Sequence, residues 1–278
     1  MDKKIIFLDV DGTITNYSNQ IPTSAIEAIR QARANGHLVY TVTGRSKAEM
    51  YHDILEIGFD GYIGGNGSYI EANNQVIFEQ VMSAEDAKAV VDWLSERGLE
   101  FYLESNTGLY ASDNFIERAT PVFIEYSRYK GQENSEEITV ESAFPNMIYH
   151  GELYRDDLNK VSFILESYQD YLDAKKQFAH LKVGTWGGAG ETALFGDVGV
   201  AAVDKAKAIE ILLENLGMAR TDTFAFGDAK IDIPMLEYCE VGIAVDSGSD
   251  DIKAVADYIT DAVDGDGIYH AFKHFGLI

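Results

Sequence analysis

The chain reads as a doubly wound α/β sheet interrupted by an inserted α+β segment. Two observations predict this. Short continuous apolar runs alternate with helical patterns at both ends of the sequence, as strands buried on both faces of a parallel sheet do. In the middle, about a hundred residues break that rhythm with strand-like runs lying next to one another, the signature of an antiparallel sheet. The length, 278 residues, suits one large domain or two.

Taken in order, residues 3–9 (KKIIFLD) form a short β-rich apolar run, the first buried strand. Thr23-Ser24 can cap a helix carrying Ile26, Ile29 and Ala32 at helical spacing, and Asn35-Gly36 stops it. Residues 37–42 give a second strand, 46–57 a helix ending at Gly58, and 61–64 a third strand. A hairpin is expected from 68–71 and 76–78 around Asn73-Asn74. The βα rhythm resumes near Asp204, with a helix to Leu216-Gly217, a strand at 223–226, a helix after Asp232, a strand at 241–245 and a helix after Ser249. A sheet interrupted and then resumed implies an insertion, placed at 83–186, leaving 1–82 and 187–278 as the core domain. Within it, a helix opens at Ser83 with Asp86 three residues on. Strands are expected at 99–104, 108–111, 160–165 and 181–186, and helices at 114–126 and from Gln169, all helices on one face. Residues 130–137 read as a loop, and Gly187-Gly188-Ala189-Gly190 as a flexible return.

Composition excludes several functions. Lys plus Arg number 22 against 46 Asp plus Glu, a formal charge of −24 with no basic run, so no nucleic-acid or anionic-membrane surface is expected. With 46% hydrophobic and 12% aromatic residues the chain can bury enough apolar surface to offset its ordering entropy. Cys239 alone forms no internal disulfide. Residues 5–8 are too short an apolar run for a signal-peptide core, and no stretch approaches the ~20 apolar residues of a membrane span, so a cytoplasmic location is expected. The Asn66-Gly67-Ser68 sequon carries no weight in such a chain.

Four short stretches could carry chemistry. Asp9-Val10-Asp11-Gly12-Thr13 ends the first strand, placing two carboxylates in the crevice where open α/β sheets bind ligands, and a hard divalent cation would relieve their repulsion. Asp-Gly also fits a hairpin turn, but residues 14–20 lack a matching strand. Thr43-Gly44-Arg45 ends the second strand, where a hydroxyl and free N–H groups at a helix start can hold phosphate oxygens; ordinary capping by Thr43 or Ser46 fits as well. Asp228 ends the strand at 223–226 and brings a third carboxylate to the same edge, while Asp232 begins the next helix. In Asp204-Lys205-Ala206-Lys207, lysines sit at a helix start, where the dipole disfavours them unless they meet an anion or remain solvated.

Together these pieces resemble the haloacid dehalogenase superfamily, specifically the Cof-type phosphatases with a large C2B-type cap inserted in a Rossmann-like core. The resemblance runs in order through Asp9-Val10-Asp11-Gly12-Thr13, Thr43-Gly44-Arg45, Lys205, Gly227-Asp228 with Asp232, and the closing Asp266-Gly267-Ile268. Between Lys205 and Lys207, the family's spacing to Leu216-Gly217-Met218 selects Lys205. The resemblance implies a Mg2+-dependent phosphatase acting on a small phosphorylated metabolite, with sugar phosphates foremost and a vitamin phosphate such as pyridoxal phosphate or FMN as the alternative. It implies Asp9 as nucleophile, Asp11 as general acid and base, and Thr43, Gly44 and Lys205 as phosphate ligands. It further implies Asp9, Asp11 (through its main-chain carbonyl) and Asp228 around Mg2+, with Asp232 behind them. The chain departs from the family where Ile231 and Ser247 replace two usual Asn residues and Ala206 a Gly; Lys230 is a substitute for the first amide. A phosphomannomutase-like phosphotransferase and a catalytically weakened metabolite-binding protein are the rival readings. The former expects several cap arginines for a second phosphate, and against it this segment holds only Arg97, Arg118, Arg128 and Arg155. Cap aromatics, among them Trp93, Tyr102, Tyr110, Tyr126, Tyr129, Tyr149 and Trp186, read as core first, and 186–191 as a candidate substrate contact. A monomer or small homo-oligomer is expected.

Overall fold

The computed structural model describes residues 2–132, 134–188 and 190–278. Its strands, in chain order, are β1 (Ile5–Leu8), β2 (Leu38–Val42), β3 (Gly61–Gly64), β4 (Tyr69–Ala72), β5 (Gln75–Glu79), β6 (Phe101–Ser105) and β7 (Leu109–Ala111). They continue with β8 (Met147–Tyr149), β9 (Leu158–Ile164), β10 (Lys182–Trp186), β11 (Phe195–Gly199), β12 (Thr223–Gly227), β13 (Val241–Val245) and β14 (Tyr258–Thr260). The α-helices are α1 (Thr23–Ala34), α2 (His52–Leu55), α3 (Ala84–Glu96), α4 (Phe115–Tyr129), α5 (Val140–Ala143), α6 (Tyr168–Gln177), α7 (Lys205–Leu216), α8 (Ile233–Tyr238), α9 (Asp250–Val255) and α10 (Gly267–His274). The chain divides into two compact units, one of Met1–Arg45, Met50–Glu79 and Val203–Ile278, the other of Ser46–Glu49 and Gln80–Ala202.

The first unit holds an eight-stranded sheet in the order β14-β13-β12-β1-β2-β3-β4-β5. β1 pairs in parallel with both β2 and β12, and only the β3-β4-β5 end is antiparallel. Alternate residues of β1 enter opposite cores. Ile6 and Leu8 pack with α1 and α10, while Ile5 and Phe7 pack with α7, α8 and α9. The helices thus cover both faces, which is why the strands carry no polar alternation. From β1 the chain winds outward through β2 and β3, then returns to build β12 to β14 on the other side. The winding reverses between β1 and β12, and a crevice opens beyond the carboxyl ends of strands at such a point.

Local signals account for most elements, with two corrections. No side chain caps α1: its N-cap is Pro22, and Thr23 already lies inside the helix, held by the burial of Ala25, Ala28, Ile29 and Ala32. The expected 46–57 helix is broken into a 3-10 turn at Lys47–Glu49 and the single turn α2. Its first part belongs to the second unit, where Ala48 packs among that unit's apolar residues.

The second unit is built on a six-stranded sheet, β10-β11-β9-β6-β7-β8. It begins at Gln80 and extends to Ala202, beyond the expected boundary at 186, because β11 pairs antiparallel with both β9 and β10. The sheet is not purely antiparallel, since β7 and β8 run parallel. Nor do the helices share one face. α3 and α6 pack with Phe101, Leu103, Val161 and Phe163, whereas α4 and α5 pack with Tyr102, Ile164 and Phe195, at the alternating positions. The 130–137 loop contains a 3-10 turn at Ser135–Glu137, and its Glu133, like Ala189 of the return segment, lies outside the described residues. Trp186 stacks on Phe195 at 3.9 Å between ring centroids, Tyr102 and Tyr110 are buried, and Tyr129 is exposed. Among the described residues no helix is long and apolar enough to cross a membrane.

Candidate active site

Asp9 follows β1 directly, and its main-chain N–H donates to the Phe226 carbonyl of β12 (3.0 Å). The chain then coils tightly, the N–H groups of Thr13, Ile14 and Thr15 all donating to the Val10 carbonyl. Asp-Gly here opens no hairpin. Gly12 sits at φ +87° with its Cα turned to the neighbouring loop, where a Cβ would come within 2.2 Å of Asp228 Oδ2. Asp228 follows β12, and Thr43 follows β2. Because these three strands are parallel neighbours, their carboxyl ends meet at one edge.

Lys205, the first residue of α7, reaches the same edge. It is 1% exposed, and its Nζ donates to Asp9 Oδ1 (2.6 Å) and to Asp232 Oδ1. Asp232, fully buried, also accepts from the Asp228 and Ala229 N–H groups (3.2 and 3.1 Å) through Oδ2. It therefore holds both the lysine and the loop that carries Asp228. Tyr17 donates its hydroxyl to Asp228 Oδ2 (2.7 Å). Asp11 turns its carboxylate to Arg45, accepting from Nε (2.9 Å) and Nη2 (2.6 Å), a two-point pairing that fixes the plane of the carboxylate. Thr43 is buried, and its Oγ1 accepts from the Arg45 N–H (3.2 Å).

The electrostatics follow from crowding acids in a dry site. Burial pushes the Asp9 carboxyl well above its ordinary range, and the charges of Asp232, Asp228 and Asp11 push it further, against the pull of Lys205. Lys205 itself is raised, since the two carboxylates it touches outweigh its own desolvation. Another cation beside Asp9 would favour its ionised form. One oxygen each from Asp9, Asp228 and Asp232 lies within 4.8 Å of the others, and such hard oxygen donors suit Mg2+. Asp232 is committed on both oxygens, so Asp9 and Asp228 are the side chains that fit direct contact with an ion, with Asp232 behind them.

Of the residues singled out from sequence, the structure thus brings together Asp9, Lys205, Asp228 and Asp232. Asp11, Thr43 and Gly44 lie in the loops that follow the adjoining strands, the Asp11 carboxylate being turned to Arg45. Lys207 is surface-exposed and paired with Glu210. Ile231 and Ser247 are exposed, and Lys230 lies 3.8 Å from Asp251 in solvent. Sequence reasoning assigned no role to Arg45, Tyr17 or Asn66. Arg45 stood within a quoted motif, and its charge at the sheet edge was the available signal; Tyr17 had none, because its contact spans 211 positions.

Buried carboxylates and a buried lysine meet at the switch point of a parallel sheet, where their chemistry suits an anionic substrate and a hard cation. The profile of the haloacid dehalogenase-like hydrolases matches residues 6–272, so the chain belongs to that family. YkrA of Bacillus subtilis (strain 168) is 26% identical over 280 residues, spanning 100% of both chains. "Phosphatase YwpJ" of the same organism is 24% identical over 98% of this chain and 99% of its own. The solved structure of the "HAD Subclass IIB Sugar Phosphatase BT4131" superposes with a TM-score of 0.76 at 25% identity, covering 99% of this chain and 100% of that one. Within its family the chain falls in the phosphatase class.

Proposed function

We propose that the protein is a Mg2+-dependent phosphatase of small phosphorylated metabolites, sugar phosphates foremost, working through an aspartyl-phosphate on Asp9. The observation that carries this reading is the buried Asp9 carboxylate at the switch point, bonded to Lys205 at 2.6 Å with Asp228 beside it. The sugar-phosphate preference draws on the likeness to a sugar phosphatase.

Asp9 attacks phosphorus, and the bond to the leaving alcohol oxygen breaks. Asp11 protonates that oxygen and then takes a proton from the water that hydrolyses the acyl phosphate. For this its carboxylate must leave Arg45, which is then available to a phosphoryl oxygen. Thr43 and the Gly44 backbone hold the phosphoryl group, while Lys205 balances charge on it and on Asp9. Asp9, Asp228 and the Asp11 carbonyl would hold Mg2+, which when bound would neutralise negative charge on the nucleophile and the phosphate. Such hydrolysis can demand acceleration near 10²¹, about 28 kcal/mol, of which orientation supplies only about 7–11 kcal/mol. Preorganised charge must supply much of the rest, which is the reason for a buried lysine among acids. The second unit is the cap domain that the resemblance implies, and the protein acts in the cytoplasm, where its one cysteine stays reduced.

The test is hydrolysis of p-nitrophenyl phosphate in Mg2+. Activity should vanish reversibly with EDTA and permanently in Asp9→Asn, and a panel of sugar and vitamin phosphates should rank the former higher. Turnover retained by Asp9→Asn would refute the nucleophile.

A further inference from the structure

The loop after β3 contains a side chain with no structural task. Asn66 lies in the turn Gly65–Gly67, tied to the phosphate-holding stretch by its own N–H to the Thr43 carbonyl (3.0 Å) and by Gly65 N–H to the Arg45 carbonyl (2.8 Å). On its other side the turn is seated against the start of α7, where a Cβ on Gly67 would come within 2.3 Å of the Asp204 carbonyl, one residue before Lys205. Its carboxamide lies over Gly44: a Cβ built there would be 3.1 Å from Asn66 Oδ1 and 3.5 Å from Nδ2. Oδ1 is buried and meets no hydrogen-bond donor among the described residues.

Backbone conformation does not explain the residue. Asn66 adopts φ 56°, ψ 32°, which asparagine tolerates, but its neighbours Gly65 and Gly67 also have positive φ and are glycine. Glycine at 66 would meet the same demand without burying an unsatisfied acceptor, which is costly in a folded chain. An orphaned polar group beside a ligand-holding loop is accounted for when the ligand pairs with it. A phosphate dianion offers acceptors alone, so it can pair with Nδ2 but not with Oδ1. Oδ1 has no exposed surface where it stands against Gly44, so a substrate reaches it only when the carboxamide turns away from Gly44; a partner for both atoms then presents a phosphoryl oxygen and, close to it, a hydroxyl.

We propose that Asn66 is a substrate-binding residue that donates through Nδ2 to the phosphoryl group and accepts through Oδ1 from a hydroxyl on the substrate's carbon skeleton, selecting polyhydroxylated phosphate esters. This rests on the phosphatase reading above. It also supplies a side-chain amide in a chain where Ile231, exposed, stands in place of one of the family's usual Asn residues.

Asn66→Gly separates the two roles, since it keeps the left-handed backbone and deletes the carboxamide. Its melting temperature should equal or exceed that of the wild type. With Mg2+, kcat/KM for p-nitrophenyl phosphate, which loses only the Nδ2 bond to the phosphoryl group, should fall about 10–100-fold, and for glucose 6-phosphate, which also loses the Oδ1 bond to its hydroxyl, by a further factor of about 2–10. Asn66→Asp, which keeps the acceptor but sets a charge against phosphate, should lose activity on both. Unchanged glucose 6-phosphate kinetics in Asn66→Gly, equal losses on both substrates, or a wild type that cleaves the aryl ester but not the hexose phosphate would each overturn the proposal. A wild type inert toward p-nitrophenyl phosphate would instead fail the phosphatase reading itself.

Discussion

Replacing Lys205 with methionine tests the charge balance of the site most directly. Methionine keeps the length and apolar stem of the side chain, so packing along α7 changes little, but Asp9 and Asp232 lose their shared cation. Both carboxylates are buried, at 6% and 0% exposure, so neither can recover the loss from water. Removing one partner of a buried ion pair costs about 3–5 kcal/mol. The two contacts do not simply double this, because Asp9 already has a raised pKa and takes up a proton once Lys205 is gone, leaving Asp232 as the uncompensated charge. A loss of about 3–5 kcal/mol corresponds to a fall in melting temperature of roughly 6–20 °C. Urea unfolding followed by circular dichroism in EDTA, to exclude metal binding, measures it. Adding Asp232→Asn should return part of the loss, since it removes the stranded charge, and the departure from additivity should be about 1–3 kcal/mol. Hydrolysis should fall at least about a thousandfold in the single variant. A Lys205→Met protein within about 1 kcal/mol of wild type, or a double variant as unstable as the sum of the singles, would refute the account of a lysine held by two buried acids.

Two further perturbations follow from the geometry. Gly12→Ala places a methyl within 2.2 Å of Asp228 Oδ2 in a backbone conformation at φ +87°, so Asp228 must move. A displacement near 1 Å costs about 100-fold in rate, and kcat/KM should fall by about that much with a raised Mg2+ requirement; an unchanged Mg2+ titration curve would show that Asp228 had not moved. In the second unit, burial raises the Glu104 carboxyl from 4.5 to about 7 despite its contact with Lys160 Nζ (3.1 Å) and the hydroxyl of Ser162 (2.6 Å). Its folded form therefore binds a proton more tightly than its unfolded form, so its contribution to stability is complete below pH 4.5 and lost as pH rises through about 7. The wild type should lose about 3 kcal/mol relative to Glu104→Gln across that window, and a constant difference between pH 5 and pH 8 would contradict the raised value.

The βα rhythm was legible because it is local. Residues 5–8 and 224–226 are apolar at every position, as strands covered on both faces are, and Asp9 and Asp228 were recognisable as carboxylates at strand ends. Residue chemistry left Lys205 and Lys207 open and the resemblance selected the former; in the structure the lysine at the first position of α7 is buried and the one two residues on is not. Less local features were not legible. Phe195–Gly199 (FGDVG) carries two glycines and an aspartate with no period-two alternation, and nothing in those five residues says that they fill the place between β9 and β10.

The sequence by itself determined the fold class, the chemistry-bearing residue types and the edge to which they belong, because hydrophobic period and strand ends are properties of neighbouring residues. The tertiary structure alone decided that β1 and β12 lie side by side, which sets Asp9 against Asp228. It also decided that Arg45 pairs with Asp11, that Asp232 is committed to Lys205, and that Asn66 presents an unmatched carboxamide at Gly44. Each of these depends on how separate chain segments share hydrogen bonds and buried charge, and such pairings are chosen by the whole fold.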